Sequence, residues 1–201
     1  DHDYTFYSDQ MVSFRDYQFS YGFQRFIYQL AFLQEHQIFF PGYAYFEDPP
    51  FLAKALLKAE NFYAINKVTY GYRMRHKRTP LSLPKTMDYA TGLLDLLALS
   101  SRMKLSKLHA KMIEALHDDL APAIYRYSAK NEGSLHELVT QINRTMDESL
   151  LRTEHLDLST ISLLEGEAMT RYVEQALASE KKLIEQIANL EKVIIYGAGT
   201  V

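Results

Sequence analysis

The amino-acid sequence predicts an α+β fold that is mostly helical. Apolar residues recur at three- and four-residue spacing over several long segments, which is typical of helices with one buried face. Alternation of apolar and polar residues, which predicts strands, occurs at useful length only within residues 60–76 and near 193–196. The aromatic residues are concentrated near the start, since all 11 phenylalanines lie between Phe6 and Phe62 and 10 of the 15 tyrosines precede residue 75.

Composition limits the kinds of protein that this chain can be. Its 201 residues are 47% hydrophobic, which suffices for a packed core. The formal charge of -3 argues against a nucleic-acid partner, which would need a basic surface. The absence of cysteine excludes disulfides and thiolate chemistry. No apolar run approaches the roughly 20 residues of a membrane span, so we expect no transmembrane segment and a cytoplasmic location, including the inner face of the membrane.

The change in aromatic content predicts two differently built regions, followed by a third. We place the first region at 1–86 and a helical region at 87–191. The last segment, 192–201, has an apolar strand pattern that runs into Gly197-Ala198-Gly199. A buried strand leading into Gly-x-Gly is how a Rossmann-like domain begins, although the motif alone is weak evidence of ligand binding. We therefore expect a fragment of a longer polypeptide.

In the first region the spacing of Phe23, Phe26, Ile27, Leu30 and Leu33 predicts a helix over 23–35. A second helix is predicted over 51–59, because the preceding Pro49-Pro50 fits a first helical turn. Alternating residues at 62–65 and 68–73, separated by Asn66-Lys67, predict a short β-hairpin.

The second region contains four predicted helices. The first spans 87–102 and is apolar on most sides, except for one stripe of Asp88, Asp95 and Arg102. Amphipathic helices follow at 104–117 and 134–148. The fourth, at 170–191, could form a short coiled coil or pack on its own domain, and the pattern favours packing slightly.

The candidate chemistry lies in an acidic pair, Glu47-Asp48, which follows an aromatic loop and precedes a helix. The free backbone N–H groups and the dipole of a helix start favour an ionised carboxylate there. Such a carboxylate can accept a proton from an attacking hydroxyl. The alternative is that Asp48 only caps the helix that starts at Pro49, and residue chemistry by itself favours this alternative.

An ordered set of motifs across residues 14–85 resembles bacterial family-2 glycosyltransferases of the GT-A type, particularly those that build capsules and other surface polysaccharides. The matching pieces, in chain order, are Phe23–Tyr28, Phe39-Phe40-Pro41, Phe46–Phe51, Phe62–Ile65, Tyr70–Lys77 and Lys85–Asp88. The resemblance covers about a third of the chain. It implies that region 1–86 is the acceptor-side, C-terminal part of a GT-A domain.

The resemblance implies an inverting transfer of a sugar from a nucleotide sugar to a glycan or glycolipid acceptor. Asp48 corresponds to the catalytic base and Glu47 to its supporting acid. Arg73, Arg75 and His76 correspond to groups near the leaving diphosphate, where a fixed cation stabilises the transition state. Each could instead be a surface charge, and for His76 that alternative is favoured.

Arg25 could face the acceptor or the donor diphosphate, or it could be a solvated helix residue, and the last alternative is favoured. The family binds its nucleotide and a divalent metal, Mn²⁺ or Mg²⁺, through an N-terminal half. That half is expected to be missing here, because Asp1-His2-Asp3 lies too close to Asp48 to be the family's metal motif. The fragment is therefore expected to hold no metal and to be inactive alone.

Two further hypotheses remain open. The chain could be a non-catalytic helical assembly module of a larger polysaccharide-biosynthesis protein, and a homo-oligomer is compatible with either function. The last strand could belong to a second catalytic domain, which would make the parent protein bifunctional.

Overall fold

The computed structural model describes residues 6–68, 71, 80–128 and 133–156, together with 178, 181–182, 184–186 and 188. Within these residues the chain is mostly helical and contains one antiparallel pair of strands, which confirms the predicted fold class. No helix in these ranges is long and apolar enough to cross a membrane.

The two strands come from distant parts of the sequence. Strand β1, Gln10–Ser13, pairs antiparallel with β2, Asn61–Ala64. The second strand matches the prediction at 62–65, but its partner is β1, which the sequence analysis missed. Val12 lies opposite Phe62 on the inner face, whereas Met11 and Tyr63 lie opposite each other and are exposed. Strand β1 is four residues long, which is too short for an alternation of apolar and polar residues to be recognised in the sequence. Most of the predicted partner at 68–73 lies outside the described residues.

The helix predicted over 23–35 is wrong as a continuous element. A short helix α1, Phe14–Tyr17, is followed by a 3₁₀ turn at Phe23–Arg25 and then by α2, Leu30–Glu35. Between them Phe26 is extended and packs on Phe62 at 5.3 Å between ring centroids. Tyr28 packs on Phe51 at 5.4 Å. Because these rings pack against different partners, tertiary contacts override the helical periodicity.

Two longer helices follow the predictions closely. Helix α3, Asp48–Ala59, contains the predicted helix at 51–59 and begins three residues earlier. Helix α4, Leu83–Met103, contains the predicted helix at 87–102. Its buried face includes Leu93, Leu96 and Leu97, each fully inaccessible to solvent. Helix α4 packs against α3 on one side and against helices of the second region on the other.

The remaining helices form the rest of the bundle. Helix α5, Ser106–Ala115, continues through a π-helical turn, Leu116–Leu120, into α6, Ala121–Ser128. Helix α7, Gly133–Thr145, and α8, Glu148–Thr153, complete it. Helices were predicted at 104–117 and 134–148, whereas the π turn, α6 and α8 were not. Most of 170–191 lies outside the described residues, and so does all of 192–201.

One buried cluster holds these elements together. It includes Val12, Phe14 and Leu52 before residue 86, and Leu93, Leu108 and Leu151 after it. The proposed boundary at residue 86 also falls inside α4. The described parts of the first two regions therefore share a core. A smaller cluster of Ile38, Phe51 and Ala55 lies beneath the aromatic loop.

Candidate functional site

The acidic pair lies at the start of α3, which explains its local conformation. Glu47 precedes the helix and Asp48 is its first residue. Pro49 and Pro50 follow and are buried. Proline has no N–H to lose in a first turn and its fixed φ suits a helix, so the two prolines set where α3 begins. The pair is thus held on a fixed backbone and is partly exposed.

Neither carboxylate caps the helix by a side-chain hydrogen bond. The Glu47 side chain makes no cap bond, and no described residue donates a hydrogen bond to the Asp48 carboxylate. Two other helices of the chain do carry side-chain caps: Ser13 accepts from Arg15 N, and Asp147 accepts from Ser149 N. Asp48 is thus the first residue of α3 rather than its N-cap, and no side-chain cap bond from the described residues fixes its carboxylate.

The environment raises the pKa of Asp48 above the ordinary aspartate range. Partial burial is the larger cause, and repulsion from Glu47 adds to it. This differs from the expectation that the helix start would keep the carboxyl strongly ionised. Without hydrogen bonds to the charged form, burial dominates. A carboxylate with a higher pKa is a stronger base, which brings it closer to the range in which general bases work well.

Aromatic rings form a wall beside the pair. Phe40 stacks on Phe51 at 4.1 Å between centroids, and Phe51 is one helical turn from Asp48. Tyr28 lies on the other side of Phe51 and donates its hydroxyl proton to the Phe23 carbonyl at 3.0 Å. Burial, and then the charge of Asp48, raise the pKa of Tyr28. The acidic pair thus borders a set of packed aromatic rings, of which Phe40 is 47% exposed to solvent.

The loop that leads into the pair is fastened to α4 by hydrogen bonds. Tyr43 donates from its hydroxyl to Asp95 Oδ2 at 3.2 Å, and the Ala44 amide donates to Asp88 Oδ2 at 3.0 Å. These two aspartates belong to the polar stripe that the sequence analysis noted on α4. Sequence alone indicated only that the stripe was polar. In the structure it holds the loop before Glu47.

Close packing at Gly92 also fixes this loop. Phe46 has a left-handed backbone with φ of 64°, and its ring stacks on Tyr89 at 4.1 Å. A Cβ atom at Gly92 would lie 2.9 Å from Phe46 Cδ1 and 3.0 Å from its carbonyl oxygen. Only glycine lets the loop come so near to α4. The orientation of Glu47 and Asp48 therefore depends on this contact.

The predicted cations are not brought to the pair by the described structure. Arg25 is exposed, and its side chain lies over the backbone of Gly22, with Nε 2.9 Å from the position of a Cβ there. It makes no ion pair with any described residue. This fits the solvated alternative for Arg25. Arg73, Arg75 and His76 lie outside the described residues.

A tyrosine cluster on the other side of the loop was missed by the sequence analysis. Tyr89 donates to Asp119 Oδ2 at 3.3 Å, and Tyr21 packs on Phe46, which stacks on Tyr89. Lys85 lies 5.3 Å from the ring centre of Tyr45, which packs on Tyr89. The π-helical turn places Asp119 there, and such turns carry no clear sequence signal. Burial, the largest cause in each case, raises the pKa values of Tyr21 and Tyr89, so both stay protonated at neutral pH.

The divalent metal implied by the resemblance does not fit the described residues. Within those ranges no three His, Cys, Asp or Glu side chains come together as a metal site would require. Glu47 and Asp48 provide two carboxylates without a third ligand. We therefore derive no step through a metal here. Asp1 and Asp3 lie outside the described residues.

Comparison with known proteins adds no relative. No protein-family model, curated protein or solved structure matches the chain.

Proposed function

We propose that the chain is the acceptor-side part of a glycosyltransferase, in which Asp48 is the catalytic base. The observation that carries the proposal is the uncapped Asp48 carboxylate, which stands partly exposed on a rigid helix start with no hydrogen bond from a described residue. A carboxylate with only a capping role would hold a backbone N–H. The order of the glycosyltransferase-like motifs around Asp48 indicates the class of reaction, which is sugar transfer.

In the proposed reaction, an Asp48 carboxylate oxygen takes the proton of an acceptor hydroxyl. The hydroxyl oxygen forms a bond to the anomeric carbon of the donor sugar as the bond from that carbon to the diphosphate oxygen breaks. The nucleoside diphosphate leaves with the bonding electron pair. General-base assistance of this kind is worth about 10²–10⁴ in rate. The raised pKa of Asp48 favours this role.

The other predicted residues have supporting roles in this proposal. Glu47 keeps the Asp48 proton affinity high through its charge. Arg73, Arg75 and His76 would neutralise the leaving diphosphate. Arg25 is a weaker candidate for that role because it is exposed and lies over Gly22. In this proposal the intact enzyme also has a donor-binding half, which holds the metal. Its substrates are a nucleotide sugar and a glycan or glycolipid acceptor.

A second candidate function is a non-catalytic assembly module. Exposed apolar side chains between residues 27 and 39 favour it: Ile27 is 102% exposed, Leu30 67% and Phe39 64%. Clusters of exposed apolar residues are typical of contact surfaces. In this alternative the acidic pair has no chemical role.

A transfer assay on the intact enzyme distinguishes the two functions. We expect one of a panel of uridine, guanosine and cytidine diphosphate sugars to yield a glycoside whose anomeric configuration is opposite to that of the donor, as shown by NMR of the product. Retention of configuration would exclude single-step transfer with Asp48 as base. Absence of product from every donor, together with stable self-association of the chain, would support the assembly module.

A further inference from the structure

A buried histidine on α5 is hydrogen-bonded both to α4 and to the segment between α7 and α8. His109 of α5 is 0% exposed. Its Nδ1 lies 2.8 Å from the hydroxyl of Ser100 on α4, and its Nε2 lies 2.9 Å from the backbone nitrogen of Asp147, between α7 and α8. Helix α5 packs against both α4 and α8.

The hydrogen bonds determine the protonation state of the ring. The Asp147 backbone nitrogen can only donate, so Nε2 must be its unprotonated acceptor. In a neutral imidazole Nδ1 then carries the proton and donates it to the Ser100 oxygen. The Ser100 hydroxyl is free to donate onward to the Leu97 carbonyl at 3.0 Å. Every polar atom of the ring is satisfied only while His109 is neutral.

Asp147 is where α8 begins. Its side chain accepts from Ser149 N at 3.1 Å, and its carbonyl accepts from the amides of Leu150 and Leu151. A second proton on His109 would sit on Nε2, opposite the Asp147 N–H. Two donors would then face each other, and the bond that fastens the start of α8 to α5 would be lost.

The charges around His109 oppose one another. Burial, the largest cause, lowers its pKa, and the Asp147 charge and the Leu97 carbonyl raise it, whereas Lys104 lowers it. Lys104 follows α4 and binds Asp147 Oδ2 at 2.8 Å. Glu154, which directly follows α8, accepts from Ser106 on α5. Because Asp147 is paired with Lys104, its charge offers His109 little compensation for burial.

We propose that His109 is a pH-sensitive latch: when its ring takes up a proton, the Asp147 amide is released and α8 detaches from α5 while the rest of the bundle stays folded. Detachment exposes Leu150 and Leu151, which are 8% and 0% exposed in the closed structure. The open form binds the proton with the ordinary histidine pKa of about 6.5, so the free energy that holds α8 closed is constant above that pH and declines as pH falls below it.

Hydrogen–deuterium exchange of the full chain between pH 7.5 and 5.5, corrected for intrinsic exchange, tests this proposal. Peptides that cover 146–156 should lose protection by up to about tenfold per pH unit below about 6.5, because one proton is linked to opening. Peptides from α3 and from the centre of α4 should keep their protection. Equal loss in all peptides, or none in 146–156, would overturn the latch.

Three variants complete the test. His109→Gln keeps an acceptor for the Asp147 amide but cannot take up a proton, so the pH dependence at α8 should disappear. His136→Gln, at an exposed position on α7, is the matched control and should leave it unchanged. Lys104→Gln removes the cation that lowers the pKa of His109 in the closed form, so the loss of protection at α8 between pH 7.5 and 5.5 should become smaller. If His109→Gln does not fold, an unchanged pH dependence at α8 in Lys104→Gln would overturn the proposal.

Discussion

Two aspartates near helix starts differ in their hydrogen bonds and in the direction of their pKa shifts. Asp147 accepts hydrogen bonds from Ser149, Ser101 and Lys104, and these bonds hold its pKa far below the ordinary range. Asp48 accepts none from described residues, and its pKa is raised. Hydrogen bonds favour the charged form of an acid, whereas burial without them favours the neutral form. The same residue type thus has opposite pKa shifts at the first residue of α3 and at the N-cap of α8.

This contrast predicts different stabilities for the two alanine variants. Asp147→Ala removes a cap and should lower the free energy of unfolding by about 0.5–2 kcal/mol. Asp48→Ala loses no cap bond and relieves repulsion from Glu47, so it should stay within about 0.5 kcal/mol of the parent. Urea unfolding at pH 7 gives both values. Equal losses in the two variants would mean that Asp48 is a cap after all.

At the scale of elements, the loop and α4 act as one unit through Gly92. Replacing a helix-interior glycine by alanine ordinarily stabilises a helix by up to about 1 kcal/mol. At Gly92 the added methyl meets the Phe46 ring and carbonyl at 2.9 and 3.0 Å, and the Tyr43 hydroxyl at 3.0 Å. Overpacking of this kind costs about 1–3 kcal/mol.

We therefore predict that Gly92→Ala lowers stability by about 1 kcal/mol in urea unfolding, because the overpacking outweighs the helix preference. Gly133→Ala is the control, since no atom of the described residues lies within 4 Å of its Cβ position at the start of α7. It should be neutral or slightly stabilising. If Gly92→Ala is as stable as Gly133→Ala, the loop is not fastened to α4 as described.

Helices with long apolar patterns could be predicted from the sequence, and contacts between distant segments could not. Periodicity located α4 because most of its faces are buried, and Pro49-Pro50 located the start of α3. It failed at Phe26 and Tyr28, whose rings pack on Phe62 and Phe51. The carboxyl pair was found by its motif. The lack of a cap, the Asp88 and Asp95 contacts and the His109 network depend on tertiary geometry, which spacing does not encode.

At the scale of the whole molecule, one core spans the first two regions. Leu52 of α3 and Leu108 of α5 are both fully buried in it. Each leucine-to-alanine replacement should cost about 2–5 kcal/mol. We predict a single unfolding transition, and both variants should shift it. Far-UV circular dichroism and tyrosine fluorescence measure the transition. Two transitions, with Leu52→Ala moving only one, would show that the region before residue 86 unfolds by itself.

The proposed role of Asp48 as a base is tested by the transfer rate of Asp48→Asn in the proposed glycosyltransferase. The amide keeps the shape of the side chain but cannot take the acceptor proton. The rate should therefore fall by about 10²–10⁴, while the melting temperature and donor affinity stay unchanged. Glu47→Gln should lose less, and Glu35→Gln, at an exposed position on α2, should lose nothing. A transfer rate of Asp48→Asn within a few-fold of the parent would contradict the account.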